Sequence, residues 1–373
     1  MKKNVFFVVS FFLVLAMLAA MTLFLPARKL SENENRELAQ MPVFNADTVL
    51  SGEFQNGLAD FLSDQIPGRE RWIALNTSLK KLLGQKKING VYLGDDGYYF
   101  QAFTDSDYSE SRKDAGFELF NEFAQETGTS VKILMVPTPG AVMADKLPVN
   151  APMYNADKLW SDLITAASDC EVIDLRQVFA ANAKDSQLYY RTDHHWTTQG
   201  AYLAYAAYCE AMGVEAKPLT YFGLEQVSDS FYGTIYSKVL DSAAKPDSVY
   251  AATNLPEVTV TIDDKTVMDS VYVAESLNQK DKYEYFFGGN YGKVEITTEA
   301  NNGKTLVIIK DSFANSLVPY MLEDYERIIM LDMRYFGGKT RDVIAQNGVT
   351  DVLIVYEMTN LLTGIGDFSK LLK

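Results

Sequence analysis

The sequence predicts an α/β fold in which a parallel sheet carries helices on its faces, with a β-rich insertion and a transmembrane helix at the N-terminus. Three observations predict it. An uncharged apolar run extends from Val5 to Leu25, strand-like and helical stretches alternate over residues 117–212 and again over 305–356, and residues 217–300 break that rhythm.

Taken in order, Met1-Lys2-Lys3-Asn4 precedes the apolar run and Pro26-Ala27-Arg28-Lys29 follows it. Roughly twenty apolar residues can cross a bilayer and exceed the ~7–15 of a signal-peptide core, so residues 1–26 read as a signal anchor and the rest as exported. Lys2 and Lys3 favour a cytoplasmic start, while Ala16, Ala19 and Ala20 leave room for cleavage. Residues 27–50, charged and then interrupted by proline, suit a juxtamembrane linker, and residues 51–373 form the α/β domain. Phe54, Leu58, Phe61 and Leu62, then Trp72, Leu75, Leu79 and Leu82, recur at helical spacing on either side of Pro67-Gly68, which predicts two helices. Val91-Tyr92-Leu93 and Tyr98-Tyr99-Phe100 flank Gly94-Asp95-Asp96-Gly97, a hairpin signature.

The alternation then places a helix at 117–126, a strand at 131–136, a helix at 156–168, a strand at 171–175 and a helix at 198–212. In the 217–300 insertion, 258–262 and 270–273 read as short strands and no convincing helix is visible. Strands at 305–309, 327–331 and 351–356, with helices at 314–322 and 340–346 between them, complete the pattern.

The formal net charge of −15 argues against nucleic acid or an anionic membrane surface as the partner, since both demand a basic face. A neutral or sugar-like substrate fits better. Cys170 and Cys209 are the only cysteines, too few for a disulfide scaffold and too far apart for the usual zinc pair, and they read as two buried free thiols, with a single bridge, which an oxidising exterior permits, as the alternative.

Ligands of an open parallel sheet bind beyond the carboxyl ends of its strands. Those ends carry Pro137-Thr138-Pro139-Gly140, the Asp193-His194-His195 loop, Lys310-Asp311-Ser312-Phe313, Asp332-Met333-Arg334 and Glu357-Met358-Thr359-Asn360. Ser312 sits where a strand turns into a helix, which exposes a nucleophilic oxygen beside helix N-terminal amides. It needs a base, and the only two histidines are His194 and His195. In an extended loop residues i and i+2 face the same way, which pairs Asp193 with His195 and turns His194 aside. Metal binding by the pair is disfavoured because adjacent histidines in such a loop diverge, and no cofactor is called for. Asp311 reads as a helix cap that braces the turn, Trp196 as a packing residue with sugar binding as its second role, and Arg334 as either a ligand for a carboxylate or acyl carbonyl or a surface ion-pair partner. Asn360 reads as an oxyanion donor or a cap.

Asp-Ser after an apolar strand resembles the first block of the GDSL/SGNH esterases and acyltransferases, with Lys310 where that family usually has glycine. His195-Trp196-Thr197-Thr198-Gln199-Gly200 resembles the end of its last block. Here the Asp-His block precedes the serine, a circularly permuted order similar to that of the alginate O-acetylation proteins AlgX and AlgJ. The string Asp193-His194-His195-Trp196, with Ser31-Glu32-Asn33-Glu34-Asn35-Arg36 after the anchor, looks closest to the DHHW family of Gram-positive bacteria. The resemblance implies a three-layer SGNH-like sheet and an extracytoplasmic O-acetyltransferase acting on a cell-surface or secreted polysaccharide. It further implies Ser312 as nucleophile, His195 as base, Asp193 as orienter, Asn360 at the oxyanion, and a membrane O-acyltransferase partner as acyl donor. A carbohydrate acetyl-esterase with the same triad, or a non-catalytic polysaccharide-binding scaffold, are the alternatives.

Overall fold

The structure, a computed structural model, describes residues 2–372. They fall into two compact units, one comprising residues up to Asn89 together with Tyr236–Ala244, the other Gly90–Ile235 and the residues from Lys245 onward.

The first unit holds helices α1 (Lys2–Phe24), α2 (Ala46–Ser51), α3 (Glu53–Gln65) and α4 (Arg69–Leu82). Within α1, Val5–Phe24 is long and apolar enough to cross a membrane. The predicted break falls between α3 and α4, where Gly68 takes a left-handed φ of 68°. The stretch expected as a linker is folded instead. Leu30–Ser31 pairs antiparallel with Arg36–Glu37, and Arg36 grips Asp64 with two bonds of 2.8 and 2.6 Å. The Arg36 hydrogen bond, working against burial, holds the Asp64 carboxyl down to about 2. Glu34 accepts from Arg36 and Arg69, and the Arg28 amide donates to Gln65 Oε1 at 2.9 Å. The Ser-Glu-Asn-Glu-Asn-Arg string is thus a polar clasp on the α3–α4 corner.

In the second unit an eight-stranded sheet comprises β1 (Val131–Val136), β2 (Glu171–Asp174), β3 (Val258–Ile262), β4 (Thr266–Met268), β5 (Lys293–Thr298), β6 (Thr305–Lys310), β7 (Arg327–Leu331) and β8 (Asp351–Glu357), in the spatial order β4-β3-β5-β7-β6-β8-β1-β2. Strands β7, β6, β8, β1 and β2 run parallel. Successive residues of these strands point to opposite faces, and both faces are buried. Leu306, Ile308, Leu353 and Val355 join one core with Tyr205 and Tyr208 of the helix Thr198–Ala211. Val307, Ile309, Val352 and Ile354 join another with Phe117, Phe120 and Trp160 from Glu110–Thr127 and Ala156–Ala166. This double burial is why the strands read as unbroken apolar runs.

The wholly parallel sheet expected from the alternation is corrected to a mixed one. Strands β3, β4 and β5, from the insertion, extend it antiparallel. The three-residue link from β3 to β4 can close only an antiparallel pair, because a parallel crossover takes about a dozen residues. The remainder of the insertion forms a separate antiparallel pair, Leu224–Phe231 with Asp247–Ala252, and a short helix, Thr234–Val239, too brief for a periodic signal. The strand expected at 270–273 reduces to one bridge, Tyr272 with Phe286. Both cysteines are free thiols, Cys209 buried and Cys170 partly so.

Candidate active site

Ser312 follows β6, a strand between two parallel neighbours, and is buried to 7 % exposure. Asp311 fixes the turn. Its Oδ1 accepts the Phe313 amide at 3.0 Å, and its Oδ2 accepts the Glu357 amide and Asn360 Nδ2, each at 2.9 Å. These bonds tie the serine turn to the end of β8. The Ser312 amide makes no hydrogen bond among the described residues.

The histidines sit at the tip of a tight loop. Tyr189 bridges antiparallel to Trp196, Tyr190 N donates to His195 O at 3.2 Å, and Thr197 N to Leu188 O at 2.8 Å. Asp193 then directs His195: its Oδ1 accepts the His195 amide at 3.0 Å and lies 2.6 Å from Nδ1. With Nδ1 carrying the hydrogen, Nε2 is the acceptor for the Ser312 hydroxyl at 2.7 Å. Ser312, His195 and Asp193, nominated from the sequence, therefore meet in one hydrogen-bonded line. Burial opposes ionisation of Asp193, but the charges of His194 and His195 and the bonds from His195 hold its carboxyl well below the usual range.

His194 is less remote than an extended loop implies. Its ring lies 3.9 Å from that of His195, and its Nδ1 is 2.8 Å from Thr234 Oγ1 and 3.6 Å from Asp193 Oδ1. Asp193, His194 and His195 bring ligand atoms within 4.8 Å of one another, as a metal would need. The atoms in question already have protein partners: Asp193 Oδ2 accepts from Thr234 N and Oγ1, and His195 Nε2 faces Ser312.

Much of the site's frame comes from the insertion and carried no signal in the sequence. Tyr283 lies parallel to the His195 ring at 3.7 Å and donates to Ser312 O at 3.0 Å, so one side chain packs the base and holds the nucleophile's carbonyl. Asp247, fully buried, accepts the Thr192 amide at 3.0 Å, the Thr192 hydroxyl at 2.9 Å and Gln187 Nε2 at 2.8 Å, which secures the loop. At Gly233 a Cβ would lie 2.2 Å from Asp193 Cβ, so only glycine allows the insertion this close. Asp281 accepts the Tyr283 amide, and burial together with the Asp193 charge pushes its carboxyl up to about 6.

Lys310, in the glycine position of the resembled motif, is buried and donates to Asn315 Oδ1 at 2.7 Å and Asn290 Oδ1 at 2.9 Å. Burial pulls its ammonium down to about 8. Asn290 ends a run, Phe287-Gly288-Gly289, with φ of 64°, 75° and 124°, so Lys310 pins an unusual backbone against the serine turn.

Trp196 is fully buried and donates to Ser316 Oγ at 2.8 Å and Phe313 O at 3.2 Å. It locks the histidine loop to the serine segment, and the sugar-binding role is corrected accordingly. Arg334 forms a two-point pair with Asp332, at 2.9 and 2.6 Å, and no hydrogen bond joins it to Ser312 among the described residues. Asn360 commits one amide hydrogen to Asp311, and the other has no hydrogen-bond partner among the described residues.

Fold and site together define an α/β protein that presents a serine, a histidine and an aspartate, hydrogen-bonded in series, at the carboxyl ends of its parallel strands. The chain belongs to the DHHW family, whose DHHW protein model matches residues 88–331. A DHHW family protein from Eubacterium siraeum DSM 15702 is 27 % identical with a TM-score of 0.66, covering 77 % of this chain and 97 % of that one. Bacillus cereus PatB1, solved with a sulfonyl adduct, shares the fold at 22 % identity and a TM-score of 0.64, covering 76 % of this chain and 98 % of its own. The O-acetyltransferase domain of Pseudomonas putida AlgJ matches more remotely, at 14 % identity and a TM-score of 0.48 over 76 % of this chain and 93 % of that one. A search of curated proteins finds no match.

Proposed function

We propose that the protein is a membrane-anchored, extracytoplasmic O-acetyltransferase that acylates a hydroxyl of a cell-surface or secreted polysaccharide, on a circularly permuted SGNH-like fold. The observation that carries this reading is the series Ser312 Oγ, His195 Nε2, His195 Nδ1, Asp193 Oδ1, with contacts of 2.7 and 2.6 Å.

As Ser312 Oγ attacks the acyl carbon, its proton passes to His195 Nε2 and the carbonyl electrons move onto oxygen. The unengaged Ser312 amide and the second amide hydrogen of Asn360 are the donors for that oxyanion. Collapse expels the donor's leaving group, which takes the proton from His195 and leaves Ser312 acylated. A sugar hydroxyl then gives its proton to Nε2 and attacks the acyl carbon, and Ser312 departs reprotonated. Asp193 stabilises the imidazolium in both halves. A multi-spanning membrane O-acyltransferase supplies the acetyl group, and the α1 anchor keeps the site beside it.

The solved structure of PatB1 carries a sulfonyl adduct, and a sulfonyl fluoride is the corresponding probe for this chain. Full-length protein treated with phenylmethylsulfonyl fluoride is expected to carry one adduct, on Ser312, and to lose turnover of p-nitrophenyl acetate. With an oligosaccharide acceptor present, acetyl transfer to sugar supports the transferase. Acetate release indifferent to every acceptor would make it an esterase, and a folded chain inert to both reagents would leave a binding protein.

A further inference from the structure

We propose that α4 is a membrane-surface helix whose apolar stripe lies in the headgroup layer of an anionic bilayer beside the anchor. The inference rests on reading α1 as that anchor.

The helix buries only Thr77. On another side it exposes Trp72 (53 %), Leu75 (50 %), Leu79 (51 %) and Leu82 (83 %), and Leu83 just beyond it is 79 % exposed. At about 100° per residue these five positions fall within an arc of roughly 100°, a continuous stripe of the kind soluble surfaces seldom leave open. Arg71 borders one edge of the stripe and Lys80 the other, with Lys86 just past the end, and the side chains of all three lack hydrogen bonds or ion pairs among the described residues. Residues 69–87 hold six basic side chains and one acidic, in a chain whose formal net charge is −15. An apolar stripe edged by unpaired cations, with a tryptophan near one end, is the composition of an interfacial helix facing acidic headgroups.

The clasp sets the distance. Phe24 ends the apolar span, and four residues later the Arg28 amide is bonded to Gln65 Oε1 while Arg28 Nη1 lies 3.3 Å from Glu70 in the first turn of α4. Four residues reach at most about 14 Å, and the headgroup region of one leaflet is on the order of 5–8 Å thick. The start of α4 is therefore tied within a short reach of the membrane surface by bonds that leave little slack. An acidic groove on a protein partner would also meet this stripe, but the tether and the paired edges of cation favour lipid.

The test is tryptophan quenching in the full chain reconstituted into vesicles rich in acidic phospholipid. Trp160 and Trp196 are fully buried, which leaves Trp72 as the responsive one. Lipid brominated near the headgroup end of its acyl chains is expected to quench at least two-fold more than lipid brominated near the chain terminus. The effect should vanish in Trp72→Phe, and in Leu75→Glu/Leu79→Glu, whose positions are exposed and tolerate charge in the fold. An unquenched Trp72 in a vesicle-bound chain with α1 intact by mass, or quenching that requires a co-reconstituted membrane protein, would overturn this inference alone. A mature chain that has lost residues 1–26 would overturn the anchor reading as well.

Discussion

Asp193 decides which of two neighbouring histidines acts as the base. Its Oδ1 takes both the amide and the Nδ1 hydrogen of His195, aiming Nε2 at Ser312, while His194 Nδ1 meets Thr234. Replacing His195 by alanine is therefore expected to lower kcat/KM toward p-nitrophenyl acetate by about 10⁴-fold, and His194→Ala by about ten-fold or less. Equal losses would mean that the two rings share the work. Gly233→Ala is a sharper probe, because its methyl group would press on Asp193 itself. It should cost activity nearly as much as Asp193→Ala and also lower the melting temperature, because overpacking a buried site costs about 1–3 kcal/mol. The central residues were legible beforehand because a two-histidine chain leaves few bases and the i, i+2 rule selects one. Tyr283, Gly233 and Asp247 were not, since each reaches the site from a distant segment whose local sequence resembles any turn or strand. Trp196 reads two ways in sequence, because a tryptophan beside a base looks the same whether it faces solvent or packs against Phe313.

At the scale of elements, the parallel strands β1, β6, β7 and β8 matched their expected ranges to within a residue, because burial on both faces makes each an unbroken apolar run between polar breaks. The insertion was recognised as β-rich, but its attachment was invisible: β3, β4 and β5 look like strands of any separate module until their register with β7 is known. That attachment makes the segment the frame of the site. Removing the buried carboxylate of Asp247, which holds Gln187, Arg191 and the amide and hydroxyl of Thr192, should destabilise the protein by about 2–4 kcal/mol and lower turnover with it. Thermal midpoints and acetate-ester kinetics on Asp247→Ala check this, and a variant stable as the wild type but inactive would assign Asp247 to chemistry instead.

For the whole molecule, the net charge of −15 hides an uneven distribution, so it excludes an anionic partner only as an average and says nothing of the basic α4. Stability should depend on pH through Glu357, which is buried at the end of β8 and whose carboxyl burial pushes up to about 7. A raised folded value means that the native state holds this proton more tightly. The contribution is complete below the unfolded value near 4.5 and is lost as pH rises through 7, a change of roughly 3 kcal/mol. Glu357→Gln, followed by denaturant unfolding between pH 4.5 and 8, should lack that loss, and identical profiles would contradict it.

The central claim is that Ser312 becomes acylated, and mass spectrometry of the intact chain after rapid mixing with p-nitrophenyl acetate tests it most directly. One added acetyl group is expected, located to the peptide holding Ser312, absent from Ser312→Ala and strongly slowed in His195→Ala. A folded chain that hydrolyses the ester without acetylating Ser312, or that carries the acetyl group on another residue, would contradict the claim.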